Sequence, residues 1–282
     1  FWLKQMHTKP IFRRGVELAP DHKTGLSINT PVMTSAGCWG FADEYANLLD
    51  FSQLGAFITN PITLHPRQPS YSLQTVPIPA GTLVHTGMPN PGMRGTLRKY
   101  IHKWRRAPCP IIVHLAPSDC HEVEECLEQL ERVESVVAVE LGFPDNSHPD
   151  DVAAMITAAS SGLLPIMTRA PFMRAAEFAR ISELAGAQAL TVAAPPRGMV
   201  RKQNGRGWIS GRLYGTFVFP LVLQIVRQIS GKTKLPIIAS GGIHTRDQAL
   251  AFLNNGASAI QLDSLVWTDP LTVMQIVAEL AD

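Results

Sequence analysis

The sequence predicts an α/β fold, a (β/α)8 barrel of eight parallel strands preceded by a short N-terminal β-hairpin. Short apolar runs alternate with helix-like segments at regular spacing from Pro31 onwards, an alternation typical of a parallel α/β barrel. The 282 residues suit a single barrel, and the apolar fraction of 45% is enough for a large core. We therefore interpret residues 1–282 as one domain, with residues 1–17 as an N-terminal extension.

The predicted elements follow one another in a regular order. Residues 18–28 form the hairpin, with Gly25 at or near its turn. A polar, glycine-containing stretch over residues 197–206 is predicted to be a mobile loop over the barrel mouth. The predicted strands cover residues 31–35, 55–59, 109–114, 136–140, 164–168, 189–193, 235–239 and 259–262. The predicted helices cover residues 43–50, 94–106, 123–133, 172–185, 217–230 with a break near Pro220, a segment after Thr245, and 270–280.

Composition and charge narrow the classes of partner. The net charge is only +2 and charged residues make up 17% of the chain, so we expect a small-molecule ligand and no nucleic-acid partner. The basic residues between Arg94 and Arg106 are interpreted as a solvated helix face. No apolar run is long enough to cross a bilayer and no signal peptide is evident, so we expect a cytoplasmic protein without a membrane partner.

The four cysteines indicate a reducing compartment rather than a disulfide framework. None of Cys38, Cys109, Cys120 and Cys126 forms a C-x-x-C pair. Cys120 is followed by a histidine and a glutamate, but this spacing matches no standard zinc pattern, and the start of a helix is the better interpretation. We predict no metal site.

The stretch from Leu235 to Pro270 reads as strand, glycine turn, helix and strand. Ser240, Gly241 and Gly242 follow the first of these strands directly, and Asp263 and Ser264 end the second. Glycines at the carboxyl end of a barrel strand let a phosphate approach bare N–H groups. The alternative is a tight turn that needs positive φ.

Several stretches resemble the dihydroorotate dehydrogenase family. The family carries a GGI turn followed by a GAS-A-x-Q stretch, and this chain has both, at residues 241–243 and 256–261. Further matches lie at residues 30–37, 84–92 and 207–211. The resemblance implies a TIM barrel that binds FMN. The cofactor-binding residues that it implies are Ser35, Ala36, Gly37, Asn60, Arg169, Gly211, Ser240, Gly241, Gly242, Asp263 and Ser264.

Two of the implied flavin contacts differ from the family in charge. Arg169 stands for a lysine near the pyrimidine edge of the flavin, and it keeps the positive charge that stabilises reduced flavin. Asp263 replaces a glycine, and a carboxylate there works against phosphate binding.

The resemblance fails at most substrate positions. Phe143 stands where the family has the cysteine or serine that takes the substrate proton, Glu140 and Asp145 replace two asparagines, and Asn60 replaces a lysine. Val84 and Ala194 replace further asparagines. The substrate-binding residues that the resemblance implies are Asn60, Thr86, Gly87, Met88, Asn90, Glu140 and Asp145.

These departures predict an FMN-dependent oxidoreductase of the CH–CH type that acts on a small molecule other than dihydroorotate. We expect Glu140 or Asp145 to be the base if burial raises its pKa, with Arg169 supporting the flavin; Cys38 and His85 are weaker candidates. The alternatives are a flavin-free barrel, either a lyase or isomerase or a non-catalytic partner subunit, and a true dihydroorotate dehydrogenase with a substituted base. The family leads us to expect a homodimer, with an electron-transfer subunit as a further partner.

Overall fold

The computed structural model describes residues 15–42, 44–71, 74–202 and 206–281. Short strands dominate the first third of the chain, and strands and helices alternate after it. The strands are β1 Val16–Glu17, β2 Ser27–Ile28, β3 Val32–Thr34, β4 Phe57–Ile58, β5 Gln74–Ile78, β6 Gly81–His85, β7 Ile111–Leu115, β8 Val136–Gly142, β9 Ile166–Arg169, β10 Ala189–Val192, β11 Arg197–Arg201, β12 Trp208–Gly215, β13 Ile237–Ser240 and β14 Ala259–Leu262. The helices are α1 Gly92–Trp104, α2 Cys120–Leu130, α3 Pro149–Ser160, α4 Ala175–Leu184, α5 Val218–Ile229, α6 Arg246–Asn254, α7 Leu265–Thr268 and α8 Pro270–Ala281.

Eight of these strands form one sheet, in the order β3-β14-β13-β10-β9-β8-β7-β4. All neighbouring pairs in this order are parallel. A parallel bridge between Met33 and Ala56 brings the two ends of the order together. The predicted (β/α)8 barrel is therefore confirmed, and the carboxyl ends of its strands meet at one mouth.

Apolar side chains fill both faces of the barrel wall. One cluster lies between the strands and the surrounding helices and includes Phe178, Val222 and Phe252. A second cluster joins strand residues such as Ile112 to the hairpin residue Leu26. Burial on both faces explains why the barrel strands read as continuous apolar runs.

A second, four-stranded antiparallel sheet has the order β11-β12-β6-β5. The mobile loop predicted over residues 197–206 is wrong in part, because Arg197–Arg201 pairs with β12 in full register, from Arg197 opposite Arg212 to Arg201 opposite Trp208. Residues 203–205 lie outside the described part. Arginine and glycine interrupt the apolar alternation of β11, so the strand becomes evident only from its partner.

Three smaller predictions need correction. Helix α5 is continuous, because Pro220 lies in its first turn, where a missing N–H breaks no helical hydrogen bond. Residues 44–50 form turns instead of a helix, and Asp43 lies outside the described residues. The N-terminal extension predicted over residues 1–17 includes strand β1, while residues 1–14 are not described.

Candidate functional site at the barrel mouth

The inward side chains of the barrel change from apolar to polar toward the mouth. Along a strand, residues two apart point to the same side, so Ile112, Ala138 and Met167 are each followed inward by a polar residue. This polar layer receives a side chain from every barrel strand or from one of the two residues that follow it. Its members are Ser35, Asn60, His114, Glu140, Arg169, Thr191, Ser240 and Gln261.

Glu140 is the centre of this layer and is completely buried. His114 Nδ1 donates to Glu140 Oε2 over 2.6 Å, while Thr191 Oγ1 and Gln261 Nε2 donate to Oε1 over 2.6 and 2.7 Å. Burial by itself would raise the pKa of Glu140, but the His114 hydrogen bond, the Arg169 charge and the Thr191 hydrogen bond lower it to about 2. A role as the base requires that burial raise the pKa of Glu140. Its pKa is lowered instead, so this requirement is not met.

Arg169 crosses the mouth from β9 and is 4% exposed. Its Nη2 donates to the hydroxyl oxygens of Ser35 and Ser240, both over 2.9 Å, and its Nη1 lies 3.7 Å from Glu140 Oε2. Nε and Nη1 have no hydrogen-bond partner among the described residues. The structure thus brings together Ser35, Arg169, Ser240 and Glu140, which the sequence placed in one site.

Phe143, which replaces the family's base, and the candidate base Asp145 both contact neighbouring side chains. Phe143 is 6% exposed and packs against Phe178, with ring centroids 5.9 Å apart. Asp145 lies at the rim, where Arg197 Nε and Arg212 Nη1 bind its two oxygens at 2.7 and 2.9 Å. Two guanidinium groups thus share this carboxylate, and Asp145 fastens the β11–β12 hairpin to the barrel.

The predicted substrate residues organise their own loops. Asn60 Oδ1 accepts hydrogen bonds from the N–H groups of Gly37 and Gly40 at 3.0 and 3.1 Å. Asn90, which is buried, accepts from the Gly92 N–H at 2.9 Å and donates to the carbonyl of Met88. These amides therefore shape the loops around the mouth.

The other loop positions that the sequence predicted to bind substrate or cofactor also contact neighbouring parts of the chain. The N–H of Met88 donates to Thr86 Oγ1, and Gly87 has φ +75° with Ser70 close to the position of an added Cβ. Gly211 lies in β12, where a Cβ would meet the Val84 carbonyl at 2.6 Å. Close backbone packing thus accounts for both glycines.

Asp263 directly follows β14, and its side chain contacts the glycine turn that follows β13. Its Oδ2 accepts from the Gly242 N–H at 3.2 Å, and Ser264 Oγ donates to Oδ1 at 3.3 Å. Burial raises the pKa of Asp263, although the bonds from Gly242 and Ser264 act in the opposite direction.

The amides at the start of α6 are engaged as well. Gln248 Oε1 accepts from the N–H groups of His244 and Thr245, and Thr245 Oγ1 caps the Gln248 N–H in a capping box. Gly242 has φ +72°, and a Cβ there would lie 2.5 Å from the backbone nitrogen of Phe219. The alternative interpretation of a tight turn therefore accounts for this glycine through packing against α5.

Tyr214 is a mouth residue that the sequence did not reveal. It is 7% exposed, packs edge-on against Trp267 at 4.9 Å between centroids, and lies beside Cys38. A Cβ on Gly37 would lie 3.4 Å from its hydroxyl oxygen. The alternation of side chains along a strand could have indicated this position. Tyr214 is two residues after Arg212, so both side chains lie on the same face of β12.

FMN does not fit these residues as they stand. Its phosphate needs free N–H donors at the glycine turn, but the carboxylate of Asp263 already takes that of Gly242. Its ring needs open space beside Gly37, and the Tyr214 hydroxyl oxygen lies 3.4 Å from where a Cβ on Gly37 would be. Ser35 and Ser240 are 0% and 1% exposed, so the chain itself covers the predicted flavin contacts.

Two further observations concern a membrane and a metal ion as possible partners of the described residues. None of the helices in the described residues is both long and apolar enough to cross a membrane. Within the same residues, His, Cys, Asp and Glu side chains form no group of three or more that could hold a metal ion.

Comparison with known proteins points to one family. A sequence model described as "Dihydroorotate dehydrogenase" matches residues 21–282. The "Dihydroorotate dehydrogenase B (NAD(+)), catalytic subunit" of Geobacillus kaustophilus (strain HTA426) is 31% identical over 274 residues, which cover 91% of this chain and 87% of that protein. The protein of the same name from Bacillus pumilus (strain SAFR-032) is 29% identical over 273 residues, which cover 91% of this chain and 88% of that protein.

Proposed function

The chain belongs to the dihydroorotate dehydrogenase family, a family of FMN-dependent oxidoreductases on a TIM barrel, and we propose that this member is a flavin-free barrel with a non-redox role. It does not oxidise dihydroorotate. The family fold is retained, while the groups that carry family chemistry are replaced or engaged within the chain.

One observation carries the proposal: both carboxyl groups predicted to act as a base at the mouth are already paired. Glu140 is bound by His114, Thr191 and Gln261, and Asp145 is bound by two arginines. Proton transfer needs a base within reach of the substrate whose pKa is near the working pH. Phe143 offers no such group, and a carboxyl group with a pKa of about 2 is a poor proton acceptor.

The same pairing favours one flavin-free role over another. A lyase or isomerase also needs an available acid or base, so the geometry supports a small-molecule-binding or partner-subunit role better than catalysis. The relatives are named as catalytic subunits, and without flavin this chain has no use for an electron-transfer subunit. A cytoplasmic location and a homodimer stay predictions, and light scattering on the purified chain tests the dimer.

The test is a visible absorption spectrum of the purified protein, followed by titration with FMN and an assay of dihydroorotate oxidation. The catalytic subunit of Geobacillus kaustophilus, prepared in the same way, is the control. We expect a colourless protein that takes up no FMN and turns over no dihydroorotate. A yellow protein with stoichiometric FMN would overturn the proposal.

An FMN-dependent oxidoreductase acting on another small molecule is the second candidate. Arg169 favours it, because Nε and Nη1 are buried donors without hydrogen-bond partners among the described residues. An unpaired buried donor is costly, and a ligand acceptor would relieve that cost. Stoichiometric FMN in the same spectrum, with no turnover of dihydroorotate, would select this candidate.

A further inference from the structure

We propose that Asp263 and Tyr214 together occupy the donors and the space of a latent flavin mononucleotide site, so that removing both side chains lets this chain bind FMN. This inference rests on the proposed flavin-free function and names the two residues responsible for it. The donors and the space of the flavin site are still present, but these two side chains occupy them.

Asp263 takes the place of an anion. Its two oxygens accept from the Gly242 N–H and the Ser264 hydroxyl, donors of the kind that bind phosphate at a glycine turn. Asp263 is 2% exposed and directly follows β14, which pairs with the strand that leads into the glycine turn. A phosphate at these donors would have to displace Asp263 and tolerate its charge, because like charges repel each other.

Tyr214 takes the place of a flat ring. Its hydroxyl reaches Gly37 and Cys38 on the loop after β3, and its ring rests against Trp267 just beyond β14. Trp267 Nε1 in turn donates to the Cys38 carbonyl over 3.1 Å. This hydrogen bond joins the segment after β14 to the loop after β3. The tyrosine thus spans the two segments that border the opening.

The surroundings of the two side chains are otherwise suited to a ligand. Arg169 keeps two buried donors without hydrogen-bond partners among the described residues, and Ser35 and Ser240 present hydroxyl groups beside it. Gly37 and Gly242 carry no side chain that would block approach. Removal of Asp263 and Tyr214 therefore exposes a cation, two hydroxyls and free backbone N–H groups on one side of the mouth.

The experiment compares binding of FMN and of riboflavin, which lacks the phosphate, to four proteins by flavin fluorescence. These are the wild type, Asp263→Gly, Tyr214→Ala and the double variant. We expect about 100-fold tighter FMN binding by the double variant than by the wild type, as two interactions of about 1.4 kcal/mol each would produce. Only proteins with Asp263→Gly should prefer FMN to riboflavin, because only they have free phosphate donors.

Tyr214→Phe is the matched control, because it keeps the ring in place and should gain no flavin binding. The pair Asp263→Ser with Tyr214→Leu retains more buried volume and repeats the test if the first pair does not fold. A folded double variant that binds FMN no better than a colourless wild type overturns this inference alone. A wild type that already binds FMN overturns the inference and the proposed function together.

Discussion

His114 Nδ1 and Glu140 Oε2 lie 2.6 Å apart inside the barrel, on neighbouring strands β7 and β8. Both side chains are almost fully shielded from solvent. Burial of a carboxylate is costly unless hydrogen bonds and a counter-charge compensate it. His114, Thr191 and Gln261 supply the hydrogen bonds and Arg169 supplies the charge, so Glu140 joins the strands of the barrel.

Replacing Glu140 by glutamine should therefore destabilise the fold. The change removes the negative charge and leaves Arg169 buried beside a neutral amide, and breaking a buried pair costs about 3 kcal/mol or more. Urea unfolding followed by circular dichroism measures the difference. Glu177→Gln is the control, because Glu177 forms an ion pair with Arg174 at the exposed surface and should cost less than about 1 kcal/mol. Equal costs for the two variants would contradict a structural role for Glu140.

The same carboxylate should make stability fall at acid pH. Its pKa is lowered from 4.5 to about 2 on folding, so the folded state binds fewer protons than the unfolded chain between these values. Its contribution is fully present above the higher pKa and is lost as the pH falls toward the lower one. Unfolding free energies measured from pH 6 down to about pH 2.5 should decrease less steeply for Glu140→Gln than for the wild type. Parallel profiles would count against the low pKa.

Asp145→Asn should loosen the β11–β12 hairpin without unfolding the barrel. The Asp145 side chain is 32% exposed, so its two arginine contacts contribute modestly to global stability, about 1 kcal/mol. Hydrogen exchange should nevertheless speed up in Arg197–Arg201, which this carboxylate ties to the barrel end. Asp150→Asn, with a 92% exposed side chain on α3, is the control. Unchanged exchange in the hairpin would show that sheet pairing alone holds it.

Gly242→Ala should be far more damaging than Gly231→Ala. Both glycines have left-handed φ values, +72° and +77°, so an alanine at either costs about 1 kcal/mol in backbone strain. Only at Gly242 would the new Cβ lie 2.5 Å from the backbone nitrogen of Phe219, whereas nothing lies within 4 Å at Gly231. Thermal unfolding of the two variants measures the difference, and similar melting temperatures would refute close packing of the turn on α5.

The cysteines should react very unequally with a thiol reagent. Cys38, Cys109 and Cys126 are buried, whereas Cys120 is partly exposed. Burial raises the pKa of Cys109 and of Cys126 to about 12, and it raises the pKa of Cys38 well above its ordinary value, which keeps these thiols protonated and unreactive. We expect one fast-reacting thiol in the native protein, absent in Cys120→Ser, and four after unfolding. Rapid labelling of Cys38 would mean that the mouth opens.

Much of the polar layer could be predicted from strand periodicity. Once the apolar runs are taken as barrel strands, parity places Glu140, Arg169 and Ser240 on one side, two residues beyond apolar interior positions. The resemblance also placed Asp263 near the glycine turn that follows β13, where the structure has its carboxylate. Chemical role was harder to predict, because the pKa of Glu140 depends on partners from β7, β9 and β10 that are far away in the chain.

The sequence by itself determined the barrel, the order of its eight parallel strands, the family and the loss of the family's base at Phe143. These follow from local periodicity and from residue identity, which are readable along the chain. Only the tertiary structure decided that Asp145 is held by arginines, that Asp263 takes the N–H of Gly242, and that the Tyr214 hydroxyl lies beside Gly37. Each of these depends on the distance between segments remote in sequence, and hydrogen bonds and packing act only at such short distances.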